Sequence, residues 1–240
     1  AKFSFNQAIK LNPNFAEAYS NLGLVFKEEG DLLAAITLFR RSVKLNPKFP
    51  VAINNLANLL KDQGDLDESI SQFKEAIKLK PNYAEAYSNL GTALQEKDDL
   101  NAAIACYQKA ITLNPEEAVF HSNLGTALQE KGVVDGAINT FQEAIKLNPN
   151  FPDARWNLSL AQLLKEDYKN GWENYKWRFY KKDAKAPHAL PKERFWEDEG
   201  LETNEKLLVI SEQGLGDTIQ YMRYVSVLKN KGYEVSFCAQ

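Results

Sequence analysis

Hydrophobic positions along this chain follow helical spacing, and then the whole pattern repeats on a longer scale. From Ala16 the apolar residues Tyr19, Leu22 and Phe26 recur at three- and four-residue steps, which places them on one helix face. Gly23 lies on that stripe, where a side chain would hold a second helix at a distance. Gly30-Asp31 breaks the pattern. It resumes with Ala35, Phe39 and Ser42, of which Ala35 and Ser42 are small enough to let the first helix approach. Leu45-Asn46-Pro47 ends this second stretch, because a residue before proline is pushed out of the helical region. The unit predicts two short antiparallel helices.

The unit then recurs every 34 residues, with the triplet Leu-Asn-Pro or Leu-Lys-Pro ending at Pro13, Pro47, Pro81, Pro115 and Pro149. Tyr87, Leu90, Gly91, Leu94, Ala103 and Tyr107 repeat the first set in phase, and Gly64-Asp65 repeats the break. A fixed period of this size marks a solenoid in which each unit packs on its neighbours. These residues resemble the tetratricopeptide repeat. The resemblance implies a mainly α fold, a right-handed superhelix of antiparallel helix pairs over residues 1–178. It would comprise a half repeat at 1–15 and repeats starting at 16, 50, 84, 118 and 152. The chain opens on the second helix of a repeat, and its sole methionine is Met222, so a piece of a longer protein is expected.

The last copy departs from the rule. Gly171 stands where other copies carry Ala or Ser, and Trp172 and Trp177 arrive in one short stretch. A terminal repeat has no successor to cover it, so an atypical face is expected there. Residues 179–204 lose periodicity, with Pro187, Pro191 and Gly200 among charges, and read as a linker. The period then changes from helix to strand. Lys206 to Ser211 is a short apolar run suited to a buried parallel strand. Gly214-Leu215-Gly216-Asp217 is a turn, Thr218 to Lys231 a helix stopped by Gly232, and Tyr233 to Cys238 a second strand. Strand, turn, helix and strand make a βαβ unit.

The glycine turn does not read as a nucleotide loop. A dinucleotide fingerprint would need glycine at Ile219, which weakens a Rossmann reductase, and the Gly-Lys-Ser/Thr of a Walker loop is absent. The run Gly171-Trp172-Glu173-x-Tyr175-x-Trp177-Arg178, followed by Glu212-Gln-Gly-Leu-Gly-Asp217-Thr-Ile-Gln-Tyr221, resembles bacterial repeat-containing glycosyltransferases. These are related to heptosyltransferases and O-linked N-acetylglucosamine transferases. The resemblance implies that 205–240 begins a truncated Rossmann-like domain, that the longer protein uses a nucleotide sugar as donor, and that Asp217 is the base for an acceptor hydroxyl. The residue type alone also suits a cap for the helix at Thr218. About 36 residues cannot form an independent core. No catalysis and no bound cofactor are therefore expected of this stretch.

At one offset in each full copy stands an asparagine: Asn21, Asn55, Asn89, Asn123 and Asn157. In a tetratricopeptide superhelix the first helices line the concave face. The asparagines resemble the ladder with which O-linked N-acetylglucosamine transferases hold acceptor polypeptide. An amide offers one acceptor and two donors, enough to grip a peptide backbone or to bond within the scaffold. Ser20, Asn54, Ser88, Ser122 and Trp156 just before the ladder, and Leu24, Asn58, Thr92, Thr126 and Leu160 three residues after it, predict a small, polar groove with few charges. His121 reads as packing.

The formal net charge of −3 gives no general attraction to nucleic acid. A basic run of Lys176, Arg178, Lys181, Lys182 and Lys185 reads as a solvated helix end. No stretch has the length of about 18 to 20 apolar residues that spans a bilayer. Cys106 reads as a buried apolar thiol, and nothing points to an oxidising compartment, so a cytoplasmic location is expected. Two functions remain. One is the interaction solenoid of a glycosyltransferase, recruiting a protein or peptide. The other is a plain scaffold with no transferase attached.

Overall fold

The computed structural model describes residues 1–181, 206–210 and 225–238. It divides into two units, Ala1–Arg178 and Phe179–Gln240. In the first, α1 (Lys2–Leu11) precedes five helix pairs. These are α2 (Ala16–Glu28) with α3 (Leu32–Leu45), α4 (Pro50–Asp62) with α5 (Leu66–Leu79), and α6 (Ala84–Glu96) with α7 (Leu100–Leu113). Then come α8 (Ala118–Glu130) with α9 (Val134–Leu147) and α10 (Pro152–Leu164) with α11 (Tyr168–Tyr175). The last helix gives way to a 3-10 turn over Lys176–Tyr180.

Within each pair the turn is made by a residue in the left-handed region: Gly30, Gly64 and Gly132 at φ of 83°, 84° and 82°. Asp98 and Glu166 hold the same place at 65° and 61°, where a side chain costs about 1–2 kcal/mol. At four of the five turns an aspartate follows and starts the second helix, whereas Val133 follows Gly132. Asp31 accepts from the backbone N–H of Ala34 at 3.0 Å, and Asp99 from that of Ala102 at 3.1 Å. Between repeats the Asn of Asn-Pro adds its own turn. The Oδ1 of Asn46 accepts from the N–H of Lys48 at 3.1 Å, and that of Asn148 from Asn150 at 3.2 Å.

The two helices of a pair meet where Gly91 faces Tyr107 and Gly125 faces Phe141. A Cβ on either glycine would come within 2.7 Å and 2.6 Å of the opposing ring. Ser42, also fully buried, donates its hydroxyl to the carbonyl of Ala16 at 2.7 Å. The core then runs on from repeat to repeat. Ala35, Ile36 and Phe39 of α3 pack with Leu56, Leu59 and Leu60 of α4, and Ala103, Ile104 and Tyr107 of α7 pack with Leu124 and Ala127 of α8. Each cluster belongs to two repeats, so each repeat is stabilised by its neighbour.

In the second unit, β1 (Lys206–Ile210) pairs in parallel with β2 (Glu234–Cys238), in the register Lys206 to Glu234 through Ile210 to Cys238. Parallel strands cannot be joined by a tight turn. A helical segment over 225–230 and a turn with Gly232 at φ 94° precede β2. Asp217, the glycine turn around it and most of the expected linker lie outside the described residues. The last helix of the solenoid is also shorter than its spacing predicts, because the 3-10 turn takes over at Lys176.

Candidate functional site

The first helices α4, α6, α8 and α10 approach one another in sequence, whereas the second helices of adjacent repeats do not come as close. The first helices therefore line the inner side of the curve, and the five asparagines stand on them. Asn21 is exposed, and Asn55, Asn89, Asn123 and Asn157 are half-buried.

Three of the five are tied into the scaffold. The Nδ2 of Asn89 donates to Oδ1 of Asn54 at 3.1 Å, that of Asn123 to Oγ of Ser88 at 3.2 Å, and that of Asn157 to Oγ1 of Thr126 at 3.3 Å. Each bond crosses to the preceding repeat. It uses one of the two amide protons and fixes the plane of the carboxamide. The carbonyl oxygen of each accepts no hydrogen bond among the described residues. Of the two asparagine roles foreseen from sequence, the scaffold bond is present in these three side chains, on one N–H each.

Four of the five residues just before the ladder do not line the groove as expected, while Trp156 is half-buried. Ser20, Asn54, Ser88 and Ser122 are 1%, 5%, 4% and 5% exposed, because helical spacing turns them toward the neighbouring first helix. Asn54 and Ser88 act instead as the anchors for the ladder. The residues three further on do reach the surface. Thr92 and Thr126 are half-buried, each donating its hydroxyl to a carbonyl one turn back, at 3.2 Å and 3.1 Å. A cavity of about 360 Å³ opens between α6 and α8, lined by Thr92, Gln95, Glu96, Tyr107, Asn123, Thr126 and Glu130. The Tyr107 hydroxyl lies 2.9 Å from Oε1 of Gln95 and 3.2 Å from Oγ1 of Thr92. Burial pushes its pKa up to about 12, so the phenol stays protonated.

His121 is half-buried, its Nε2 lying 2.9 Å from the carbonyl oxygen of Pro115. Cys106 is half-buried rather than enclosed, and burial still pushes its thiol pKa up. Of the basic run, Arg178 lies over the Tyr175 ring at 4.4 Å, while Lys182 and Lys185 fall outside the described residues. No described helix is long and apolar enough to cross a membrane.

The spacing argument passed over Gln162. Phe26, Leu60, Leu94 and Leu128 hold its place in the other repeats, yet Gln162 is 6% exposed. Its Oε1 accepts from Nδ2 of Asn174 at 2.9 Å. Beside it lies a second cavity of about 360 Å³, with Ile138, Ile145 and Leu158 among its walls. The signal was present as a break in the period.

Comparison with known proteins agrees with this architecture. A family model described as TPR repeat matches residues 4–30, 57–98 and 130–165, and two tetratricopeptide repeat models match 84–117 and 38–71. Together they cover well over half of the chain. No curated protein matches it. Among solved structures, YrrB, described as a TPR protein with an unusual peptide-binding site, is 21% identical. It superposes with a TM-score of 0.59 over 75% of this chain and 93% of YrrB. MamA is 27% identical, with a TM-score of 0.59 over 75% of this chain and 98% of MamA. PilF of Pseudomonas aeruginosa is 21% identical, with a TM-score of 0.63 over 68% and 74%. At 21% identity YrrB and PilF show the fold alone.

Proposed function

We propose that this chain, which belongs to the tetratricopeptide repeat family, is a protein-interaction solenoid that holds an extended polypeptide along its first helices. Asn55, Asn89, Asn123 and Asn157 grip the backbone, with Asn21 at the exposed end. The observation that carries the reading is the fixing of three carboxamides by bonds to the preceding repeat, each with its oxygen open. A pre-oriented acceptor loses less entropy on binding than a free one. The peptide-binding site named for YrrB is in keeping with it. Repeats spaced at about 8–10 Å give a ladder roughly 32–40 Å long. At about 3.3 Å per residue that spans on the order of 10–12 residues. Each backbone bond contributes about 0.5–1.5 kcal/mol net, so binding is weak and tolerant of sequence.

The test uses peptides selected on the chain from a random 12-residue display library. Replacing Asn55, Asn89 and Asn123 by Ala together lowers their affinity. Helix content stays, with a small loss of melting temperature from the two cross-repeat bonds removed. Unchanged affinity takes the ladder out of the site.

The wider reading is that the solenoid recruits acceptors for a glycosyltransferase in the cytoplasm. The parallel pairing of β1 and β2 supports a βαβ start of a Rossmann-like domain. In that reading the donor is a nucleotide sugar and Asp217 is the base. In the longer enzyme Asp217→Asn then lowers turnover about 100- to 10,000-fold. Near-normal turnover leaves Asp217 a helix cap. A plain scaffold is favoured by the neighbours themselves, since the match takes in 93% of YrrB and 98% of MamA. Sequence beyond Gln240 separates the two, because only the transferase requires a second Rossmann-like half.

A further inference from the structure

We propose that the cavity between α6 and α8 is a side-chain pocket for one lysine or arginine of the extended polypeptide in the groove. The proposal rests on the groove reading and adds the partner's chemistry to it.

The first observation is a local rule broken in register. Glu28, Asp62, Glu96 and Glu130 are the last residues of α2, α4, α6 and α8, one repeat apart. A helix C-terminus carries partial negative charge and favours cations, so a carboxylate there is disfavoured. Repeated local conflicts of this kind are characteristic of functional surfaces. These acids stand seven residues after Asn21, Asn55, Asn89 and Asn123, two turns along the same helix face. A backbone lying on the ladder therefore has the carboxylates beside it.

The second observation is where the neighbouring cations go. Lys97, next to Glu96, turns away to Asp67 on α5, and Lys131, next to Glu130, turns away to Asn101 on α7 at 2.7 Å. Lys61 reaches Glu96 at 3.3 Å but also holds Asp62 at 2.9 Å. Glu130 accepts from Nε2 of Gln95 at 2.8 Å and has no ion pair among the described residues. The cavity that these acids border holds about 360 Å³, with the neutral phenol of Tyr107 in its wall and the hydroxyls of Thr92 and Thr126 beside it. The aliphatic stem of a lysine or arginine lies along the half-buried Thr92 and Thr126, and its charged head meets Glu130 and Glu96. An acidic or apolar side chain gains nothing there.

The probe is an acetylated and amidated 12-residue peptide of alternating Ser and Ala with one central lysine, and a twin with norleucine in its place. Both are titrated into the 15N-labelled 240-residue chain at low salt. The lysine peptide is expected to bind about fivefold more tightly than its twin and to shift the amides of Gln95, Asn123 and Glu130. The advantage is expected to disappear in Glu130→Gln, which keeps the fold because it removes a charge from a helix end that disfavours it, and in about 0.5 M salt. Equal binding of the two peptides, or an advantage that survives in Glu130→Gln combined with Glu96→Gln, overturns the pocket. If the two peptides bind equally and Asn123→Ala weakens both, the groove stands without the pocket. If neither peptide binds at millimolar concentration, the groove reading falls with it. If N-acetyl-lysine amide alone produces the same shifts, the site takes a small amine and the polypeptide occupant is wrong.

Discussion

The repeat from Ala84 and the repeat from Pro152 are built to one plan and finished differently. In the first, Gly91 lets Tyr107 sink to 1% exposure, and the next repeat closes over it with Leu124 and Ala127. In the second, Ser159 replaces that glycine and Tyr175 replaces Tyr107. The ring stays half-buried, 4.8 Å from Trp156 and 5.1 Å from Trp172. Gly171 now carries the close approach, since a Cβ there would lie 2.7 Å from Leu163. Leu164, Tyr168 and Trp172 are 65%, 58% and 56% exposed. An interior repeat is thus completed by its successor, and the last described one replaces that partner with a stack of its own aromatics.

The largest expected effect tests how far the interior depends on its neighbours. Phe141 is fully buried and packs with Leu158 and Ala161 of the next repeat. Phe141→Ala is expected to cost about 3–5 kcal/mol, and Tyr175→Ala about half of that because its ring is already partly in water. Three of the four tryptophans, Trp156, Trp172 and Trp177, sit in the last repeat, so in a Trp196→Phe background fluorescence follows that end while circular dichroism follows the whole solenoid. In Phe141→Ala the fluorescence transition should move to lower urea than the dichroism transition. Coincident transitions would show that the end does not lean on Phe141.

The next effect is a pH dependence carried by the interior phenol. Tyr107 has its pKa raised by burial from 10.0 to about 12 in the folded chain. The unfolded chain releases this proton first as pH rises. The stabilisation is therefore complete below about pH 10 and is lost as pH climbs from 10 toward 12, by on the order of 2 kcal/mol. Tyr107→Phe should be less sensitive over that window when unfolding is followed at each pH. An unaltered slope would sink the assignment.

The smallest effect compares the turns. Gly132 and Glu166 share the left-handed conformation at φ 82° and 61°. Gly132→Ala is expected to lower stability by about 1 kcal/mol, and Glu166→Gly to raise that of the last repeat by a similar amount. Equal and negligible shifts in both would mean that the end repeat relaxes its turn at no cost.

The asparagines mark the limit of legibility at the site. Their period and face were readable, since Asn21 to Asn157 keep one offset from the core leucines. That Asn89 would bond Asn54 and Asn123 would bond Ser88 was not, because the partner lies one residue before the ladder in another repeat. Gln162 was readable as a departure from Leu, yet nothing in the string said that it would be buried against Asn174.

The sequence by itself determined the period, the two helices per repeat and the turn that ends each. These rest on neighbours three, four or a few residues apart: an apolar stripe, a glycine in a left-handed turn, a proline stop. Only the tertiary structure decided which polar groups are consumed by the stack and which are left facing the groove. Residues 35 apart in the chain meet within hydrogen-bond distance when helices pack, as Asn89 and Asn54 do at 3.1 Å. A buried amide is satisfied by whatever packing brings to it, and that depends on how the repeats lie against one another.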